Sequence, residues 1–165
     1  MDPMRMEPKK EEQKIRKGFT HYLLTNSYMA YLFAIITGII LDTIFPIKIF
    51  GGQEYQYFGF SLIVISSVLI YWAQRTTNKT KKQIVDGKRN FDRGPYKYSR
   101  NPTYLGLLLA TLGFGLMIGS FFIFVIVIVI FFINKLIFLP REERLLERIY
   151  GQNYLDYKKK VRTWI

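Results

Sequence analysis

Cysteine is absent from the 165 residues and histidine occurs once, as His21. The first absence excludes disulfides, zinc–thiolate sites, iron–sulfur clusters and a thiol nucleophile. The second leaves no histidine-rich metal site and argues against a Ser-His-Asp arrangement. Acidic residues are also scarce: 12 Asp+Glu stand against 24 Lys+Arg, for a formal net charge of +12. The length allows one domain or a small membrane bundle and is too short for a two-domain enzyme. Half of the residues are apolar, too many and too clustered for a disordered chain. The apolar and basic residues are segregated, as in a protein whose parts occupy different solvents.

A membrane-spanning helix needs about 20 predominantly apolar residues, because roughly 30 Å of hydrocarbon is crossed at about 1.5 Å per residue. Residues 28–47 meet this with Asp42 as their only acid, and residues 57–73 are slightly short but uncharged. The run from Tyr104 to Asn134 is apolar almost throughout. As one helix it would reach about 46 Å, too long for a single span. Gly119-Ser120 offers a break, so two antiparallel spans at about 103–118 and 121–139 are expected, joined by a very tight turn. A soluble helix shows a polar stripe, and Phe121–Ile133 has none. Its β-branched residues suit a buried strand, but 13 consecutive apolar positions exceed ordinary strand length. The expected fold is therefore an all-α integral membrane bundle of about four transmembrane helices followed by amphipathic C-terminal helices.

Charge placement orients the bundle. Residues 1–27 hold six Lys/Arg, residues 74–103 nine and residues 135–165 eight, while the 48–56 connection holds only Lys48. With four spans, 23 of the 24 basic residues fall on one side. The positive-inside rule makes that side cytoplasmic, with both termini on it. Tyr71-Trp72 and Tyr55, Tyr57, Phe58 mark the two interfaces of the second span. The first apolar run follows 27 polar residues without a cleavage pattern, so no removable signal is expected. Topology accounts for the basic charge, and no stacking motif accompanies it, so nucleic acid is not an expected partner. Anionic phospholipid headgroups are.

Residues 1–27 read as a basic cytoplasmic arm and 28–165 as the membrane domain, with polar elements at 86–104 and 140–165. The 74–103 connection is long for a bundle, and long ordered connections are usually functional. It contains the turn signal Asp86-Gly87 and ends in Asn101-Pro102, where Asn can cap the third span and Pro open it. Pro140 is expected to open a helix with Glu142 and Glu143 in its first turn and Gly151 at its end. A second short helix can start at Asn153, with Asp156 as a capping-box variant. Tyr154, Tyr157, Val161 and Trp164 then share one side. Gly113, Gly115 and Gly119 favour close internal helix packing. Asp42 can snorkel outward or pair with Lys48.

Two blocks carry a family pattern. The first is Gly94-Pro95-Tyr96-Lys97-Tyr98-Ser99-Arg100-Asn101-Pro102-Thr103-Tyr104-Leu105-Gly106. The second runs Arg141-Glu142-Glu143, Leu146, Tyr150-Gly151-Gln152-Asn153-Tyr154, Tyr157 and on to Val161-Arg162. In this order, separated by an apolar hairpin, they resemble the isoprenylcysteine carboxyl methyltransferase family, whose superfamily includes phospholipid N-methyltransferases. The match is closest to small bacterial members with Arg-Asn-Pro. The resemblance implies an integral membrane methyltransferase that uses S-adenosylmethionine, with its cofactor pocket at the cytoplasmic face. By position, Tyr96, Asn101, Pro102, Tyr104 and Glu142 would line that pocket, Tyr154 and Tyr157 would close it, and Arg100 and Glu143 would stand at the reacting centre. Better-known members carry His where this chain has Asn101, and Asn cannot titrate near neutral pH. A general-base role there is accordingly not expected.

The methyl group of a sulfonium is already electrophilic, so no metal is required, and in-line alignment is the main demand. A carboxylate acceptor can be held by Arg100 through a bidentate contact. An amine acceptor needs a base, for which Glu142 and Glu143 are the candidates. The acceptor implied is a lipid or lipidated molecule arriving from the bilayer. It is most like an isoprenylcysteine carboxyl group, with a phospholipid amine or a small lipophilic nucleophile as alternatives. A nicotinamide-dependent membrane reductase and a non-enzymatic bundle are the competing classes.

Overall fold

The computed structural model describes residues 28–82 and 91–164, so the N-terminal arm, His21 and the Asp86-Gly87 turn lie outside the described residues. Six α-helices organise the described residues. Helix α1 covers Tyr28–Ile44, α2 Gln53–Lys82, α3 Pro102–Ile118, α4 Phe121–Ile133, α5 Leu139–Tyr150 and α6 Gln152–Lys160. A 3₁₀ turn at Gly94–Lys97 precedes α3, and a π turn at Asn134–Phe138 joins α4 to α5.

Helix α2 is longer than the apolar run at 57–73 from which it is expected. Hydropathy registers only the apolar stretch, whereas a helix stops at a breaker, and no Pro or Gly occurs between Phe60 and Gly87. The turn between α3 and α4 falls where the sequence places it. Gly119 takes φ +71° at the C-terminus of α3, a left-handed conformation that costs glycine little. Ser120 then caps α4, its Oγ accepting from Ile123 N at 3.0 Å. The β-branched run is helical.

Two local expectations need correction and one an addition. Pro140 stands in the first turn of α5 and Gly151 at its end, as expected, but α4, the π turn and α5 form one continuous helical stretch from Phe121 to Tyr150. Proline has no N–H and its ring crowds the carbonyl four residues back. The wider π turn immediately before Pro140 absorbs both defects without ending the helix. Asn101 does not cap α3 through its side chain; its Nδ2 donates instead to Thr163 O at 3.4 Å. The capping box at Asn153 does not form either, since Gly151 stands at the N-cap and Asp156 accepts from Gln152 at 2.8 Å.

Two apolar helical stretches, Gln53–Lys79 and Phe121–Tyr150, are long and apolar enough to cross a bilayer, and α1 and α3 are shorter apolar helices. Only 17% and 28% of the two long apolar windows are buried inside the protein, which separates them from the core helices of a soluble protein. Side chains such as Phe33, Val68, Ile128 and Leu136 point outward. In water such a surface would be far larger than the apolar patches soluble monomers expose.

What is buried is a narrow seam between the helices, in which small and polar residues stand beside a few apolar ones such as Ile123 and Val127. Helices α2 and α3 cross at Gly59 and Gly113, where a Cβ on Gly113 would lie 2.7 Å from Gly59 O and one on Gly59 2.5 Å from Gly113 O. Tyr31, Ala34, Leu107 and Ile130 tie α1, α3 and α4 together, and Asn134 donates to Tyr31 Oη at 3.0 Å across 103 positions of sequence. The glycines therefore serve internal packing. Gly113→Ala should destabilise the bundle by roughly 1–3 kcal/mol, because two backbones must separate. Gly51→Ala, with nothing within 4 Å of the added carbon, should leave the melting temperature in detergent unchanged. Equal melting of the two variants would exclude the close crossing.

Candidate active site at the polar end of the bundle

The polar end is built from the 91–101 segment, the N-terminus of α3, α5, α6 and the residues that follow α6. Gly94 begins the 3₁₀ turn with φ +56°, and Pro95 stands in its first turn. The turn is anchored to the bundle by Tyr96, whose hydroxyl shares a 2.8 Å hydrogen bond with Thr77 of α2. Its carbonyl accepts from Tyr157 Oη at 2.8 Å, which ties the same turn to α6.

Phe91 organises the aromatic part. Its ring stacks on Tyr157 with centroids 5.1 Å apart and meets Tyr150 and Tyr154 edge-on at 4.9 and 5.4 Å. Tyr154, Tyr157 and Val161 form the buried cluster against which Phe91, Leu146 and Tyr150 pack. This is the apolar side expected of the C-terminal helices, with Trp164 displaced from it. Trp164 packs instead on Phe131 of α4 at 5.4 Å.

The charged part centres on Arg100. Its Nη2 lies 3.1 Å from Glu143 Oε1 and its side chain is only 10% exposed. The same Nη2 donates to Thr163 Oγ1. Lys158 approaches the other oxygen of Glu143 at 2.8 Å and Glu147 at 2.7 Å. A chain of alternating charge, Arg100–Glu143–Lys158–Glu147, therefore joins the segment before α3 to α5 and α6. Glu142, the neighbour of Glu143, accepts from Tyr104 Oη at 3.1 Å, so the two adjacent carboxylates engage successive parts of the α3 N-terminus.

The residues after α6 fold back as a strap. Arg162 O accepts from Arg100 N at 2.9 Å, and Thr163 O accepts from Ser99 Oγ at 3.1 Å and from Asn101 Nδ2 at 3.4 Å. Ser99 Oγ in turn accepts from Asn101 N at 3.2 Å. Pro102 is buried in the first turn of α3.

The structure thus gathers Tyr96, Arg100, Asn101, Pro102, Tyr104, Glu142, Glu143, Tyr154 and Tyr157 at one end of the bundle. It adds partners that sequence reasoning does not assign to the site: Thr77, Phe91, Ser99, Lys158, Thr163 and Trp164. No local spacing announces them, because each acts across helices. Arg100 Nε and Nη1 and Trp164 Nε1 are buried donors without a partner among the described residues. Buried donors are rarely left so, and a ligand that offers oxygen acceptors would satisfy them.

Burial pushes the Tyr154 phenol well above its ordinary value, with the Glu143 carboxylate adding to the shift and Arg100 opposing it. Hydrogen bonds to Glu143 and Glu147 raise the Lys158 ammonium.

The class these features define is an α-helical, apolar-surfaced bundle carrying a buried arginine–carboxylate cluster at its polar end. A family model described as phospholipid methyltransferase matches residues 55–153. The chain is 30% identical over 156 residues to the protein-S-isoprenylcysteine O-methyltransferase of Saccharomyces cerevisiae, a match covering 85% of this chain and 64% of that protein. It is 25% identical to protein-S-isoprenylcysteine O-methyltransferase B of Arabidopsis thaliana, over 74% of this chain and 66% of that one. It is 29% identical to the Schizosaccharomyces pombe protein-S-isoprenylcysteine O-methyltransferase, over 67% and 49%. The chain therefore spans between about half and two thirds of the length of these relatives. No solved structure matches it. The chain belongs to the phospholipid methyltransferase family, a family of membrane enzymes that use S-adenosylmethionine.

The two shifted groups fix an alkaline limit. Both folded-state values lie above the ordinary ones of 10.0 for tyrosine and 10.5 for lysine. The stabilisation each contributes is complete below that ordinary value and is lost as pH rises through the folded one. Stability should thus owe no pH dependence to either group from pH 7 to about 10 and should fall above it. Denaturant unfolding against pH tests this. The fall should be shallower in Tyr154→Phe and in Lys158→Met, and an unchanged slope in both would exclude these groups as its source.

Proposed function

We propose that this protein transfers the methyl group of S-adenosylmethionine to a carboxylate on a membrane-associated acceptor, an isoprenylcysteine carboxyl group being the acceptor most like those of its named relatives. The observation that carries the reading is Arg100, nine-tenths buried, with Nε and Nη1 lacking a partner among the described residues. A guanidinium in that state calls for an anionic oxygen ligand.

The residues present suit the cofactor. Arg100 and the Trp164 indole are donors for carboxylate or hydroxyl oxygens, and Glu142 is a carboxylate for amino or hydroxyl groups. When bound, the cofactor supplies a methyl group already activated by its sulfonium. The protein's contribution is then placement. Glu143 and the strap hold the Arg100 guanidinium by Nη2, which fixes the direction of its other N–H groups. Tyr154, Tyr157 and Phe91 exclude water from the flank of the same cluster. Asn101, bonded to the strap carbonyl, is a positioning residue and moves no proton. Tyr104 orients Glu142.

The oxygens of Glu143 are engaged by Arg100 and Lys158, which leaves it poorly placed to take a proton from an ammonium. That favours a carboxylate acceptor, which needs no base. The second reading is N-methylation of a phospholipid amine, with Glu142 as base; it draws on the description of the family model. In either case we place both termini and this site on the cytoplasmic side of a bundle of four spans, with basic residues along the inner leaflet.

Membranes containing the protein, supplied with methyl-labelled S-adenosylmethionine, test the reading. The label should appear in a lipid-soluble fraction and be released by mild base, as a methyl ester is. Base-stable label in phospholipid would move the assignment to the amine acceptor. Absence of both label and S-adenosylhomocysteine binding, with NADPH bound instead, would overturn methyl transfer altogether. Arg100→Ala and Glu142→Ala should each lower transfer about 100-fold or more through lost alignment, while the protein still accumulates in the membrane.

A further inference from the structure

A half-open cavity lies at the end of the bundle opposite the Arg100 cluster, where α1 and α3 finish. Two regions distant in sequence surround it: the last turn of α1 with the loop that follows (Asp42, Thr43, Ile47 and Lys48), and the α3–α4 turn with Ile118 and Ser120. Its volume is about 170 Å³.

The walls are held by backbone. Ile49 N donates to Gly119 O at 3.4 Å, and Lys48 and Ser120 pair as an antiparallel bridge. A Cβ at Gly119 would meet Phe50 O at 2.4 Å, so the loop sits directly on the turn. The neutral polar side chains are internally satisfied: Thr43 Oγ1 donates to Ile39 O at 2.8 Å, and Ser120 Oγ caps α4.

Asp42 is not satisfied. Both carboxylate oxygens are shielded from solvent and neither has a hydrogen-bond partner among the described residues, so the expected pairing with Lys48 is absent. A charged carboxylate shielded in this way is stabilised by a compensating cation. Lys48 is exposed at the rim, which leaves positive charge at the mouth and negative charge within. The space exceeds the roughly 30 Å³ that one water occupies and has room for a small organic ammonium. Ile39, Ile47 and Ile118, which line it, also expose apolar surface.

We propose that this cavity binds the headgroup of a zwitterionic phospholipid, with the ammonium on Asp42, the phosphate at Lys48 and the acyl chains along the isoleucine surface. The proposal rests on the four-span reading, which puts this end at the bilayer surface remote from the Arg100 cluster. It does not rest on methyl transfer.

Native mass spectrometry of the full chain in detergent, titrated with short-chain phosphatidylethanolamine or phosphatidylglycerol, tests it. Wild type should retain phosphatidylethanolamine at least tenfold better than Asp42→Asn and severalfold better than Lys48→Gln, with S-adenosylhomocysteine binding unchanged in both variants. Should Asp42→Asn fail to fold, Lys48→Glu, altered at an exposed position, should lose the lipid while keeping its melting temperature. Equal retention by wild type and variants, or phosphatidylglycerol bound as well as phosphatidylethanolamine, would overturn the proposal. So would stabilisation by sodium chloride alone that Asp42→Asn abolishes, since the cavity would then take an inorganic cation. Failure of wild type to bind S-adenosylhomocysteine bears on the methyl-transfer reading only.

Discussion

Arg100 carries its charge to a place where a tenth of the side chain meets solvent, and the polar end of the bundle is arranged around compensating that burial. An isolated buried guanidinium costs several kcal/mol. Glu143 supplies the opposite charge and Thr163 a hydroxyl, and Arg100 N donates to Arg162 O. These contacts come from α5 and from the chain beyond α6. The charge that needs compensating is therefore also what draws the C-terminal segments onto the start of α3. Lys158 then prevents Glu143 from being pulled wholly toward Arg100, because it binds the second oxygen and shares itself with Glu147.

The apolar helices take part in this arrangement at three points. Thr77 of α2 holds the Tyr96 hydroxyl, Tyr104 of α3 holds Glu142, and Phe131 of α4 receives Trp164. The π turn matters for the second and for the Arg100 pair alike. A π turn changes the angular register of everything that follows it in a helix. The directions in which Glu142 and Glu143 leave α5 are thus set by the turn at Asn134–Phe138, which is itself tied to α1 through Asn134 and Tyr31. A perturbation of α1 deep in the bundle would reach the carboxylates by this route.

Most of the bundle is legible in the residues because its determinants are local. Apolar runs report the solvent a helix faces, Gly119 supplies the left-handed turn and Ser120 the cap. The two motif blocks are legible for a similar reason: their residues are close in sequence within each block. What escapes such reading is whatever depends on helices meeting. The extension of α2 through Arg75 and Lys79 is invisible to hydropathy, since a polar helix end is still a helix. Pro140 looks like the start of a separate helix because the compensating π turn has no sequence mark of its own. Asn101 has the composition of a cap, yet the carbonyl of Thr163 competes for its amide and wins. Lys158 lies in a run of three lysines, and the positions of Glu143 and Glu147 distinguish it from Lys159 and Lys160.

The arginine itself narrows what the site can accommodate. Nη2 is committed to Glu143 and Thr163, so a ligand must be recognised by Nε and Nη1, which lie on the two outer flanks of the guanidinium. A single carboxylate on one flank leaves a donor on the other. On the methyl-transfer reading two molecules meet at this point, a cofactor with its own carboxylate and hydroxyls and an acceptor whose oxygen is to be methylated. An arginine held by its inner nitrogen and open on both flanks can touch both at once. It would then fix their mutual direction as well as their individual positions. Relative direction is what an in-line displacement demands, and a lysine, with one point charge on a flexible stem, would satisfy the charge without imposing it.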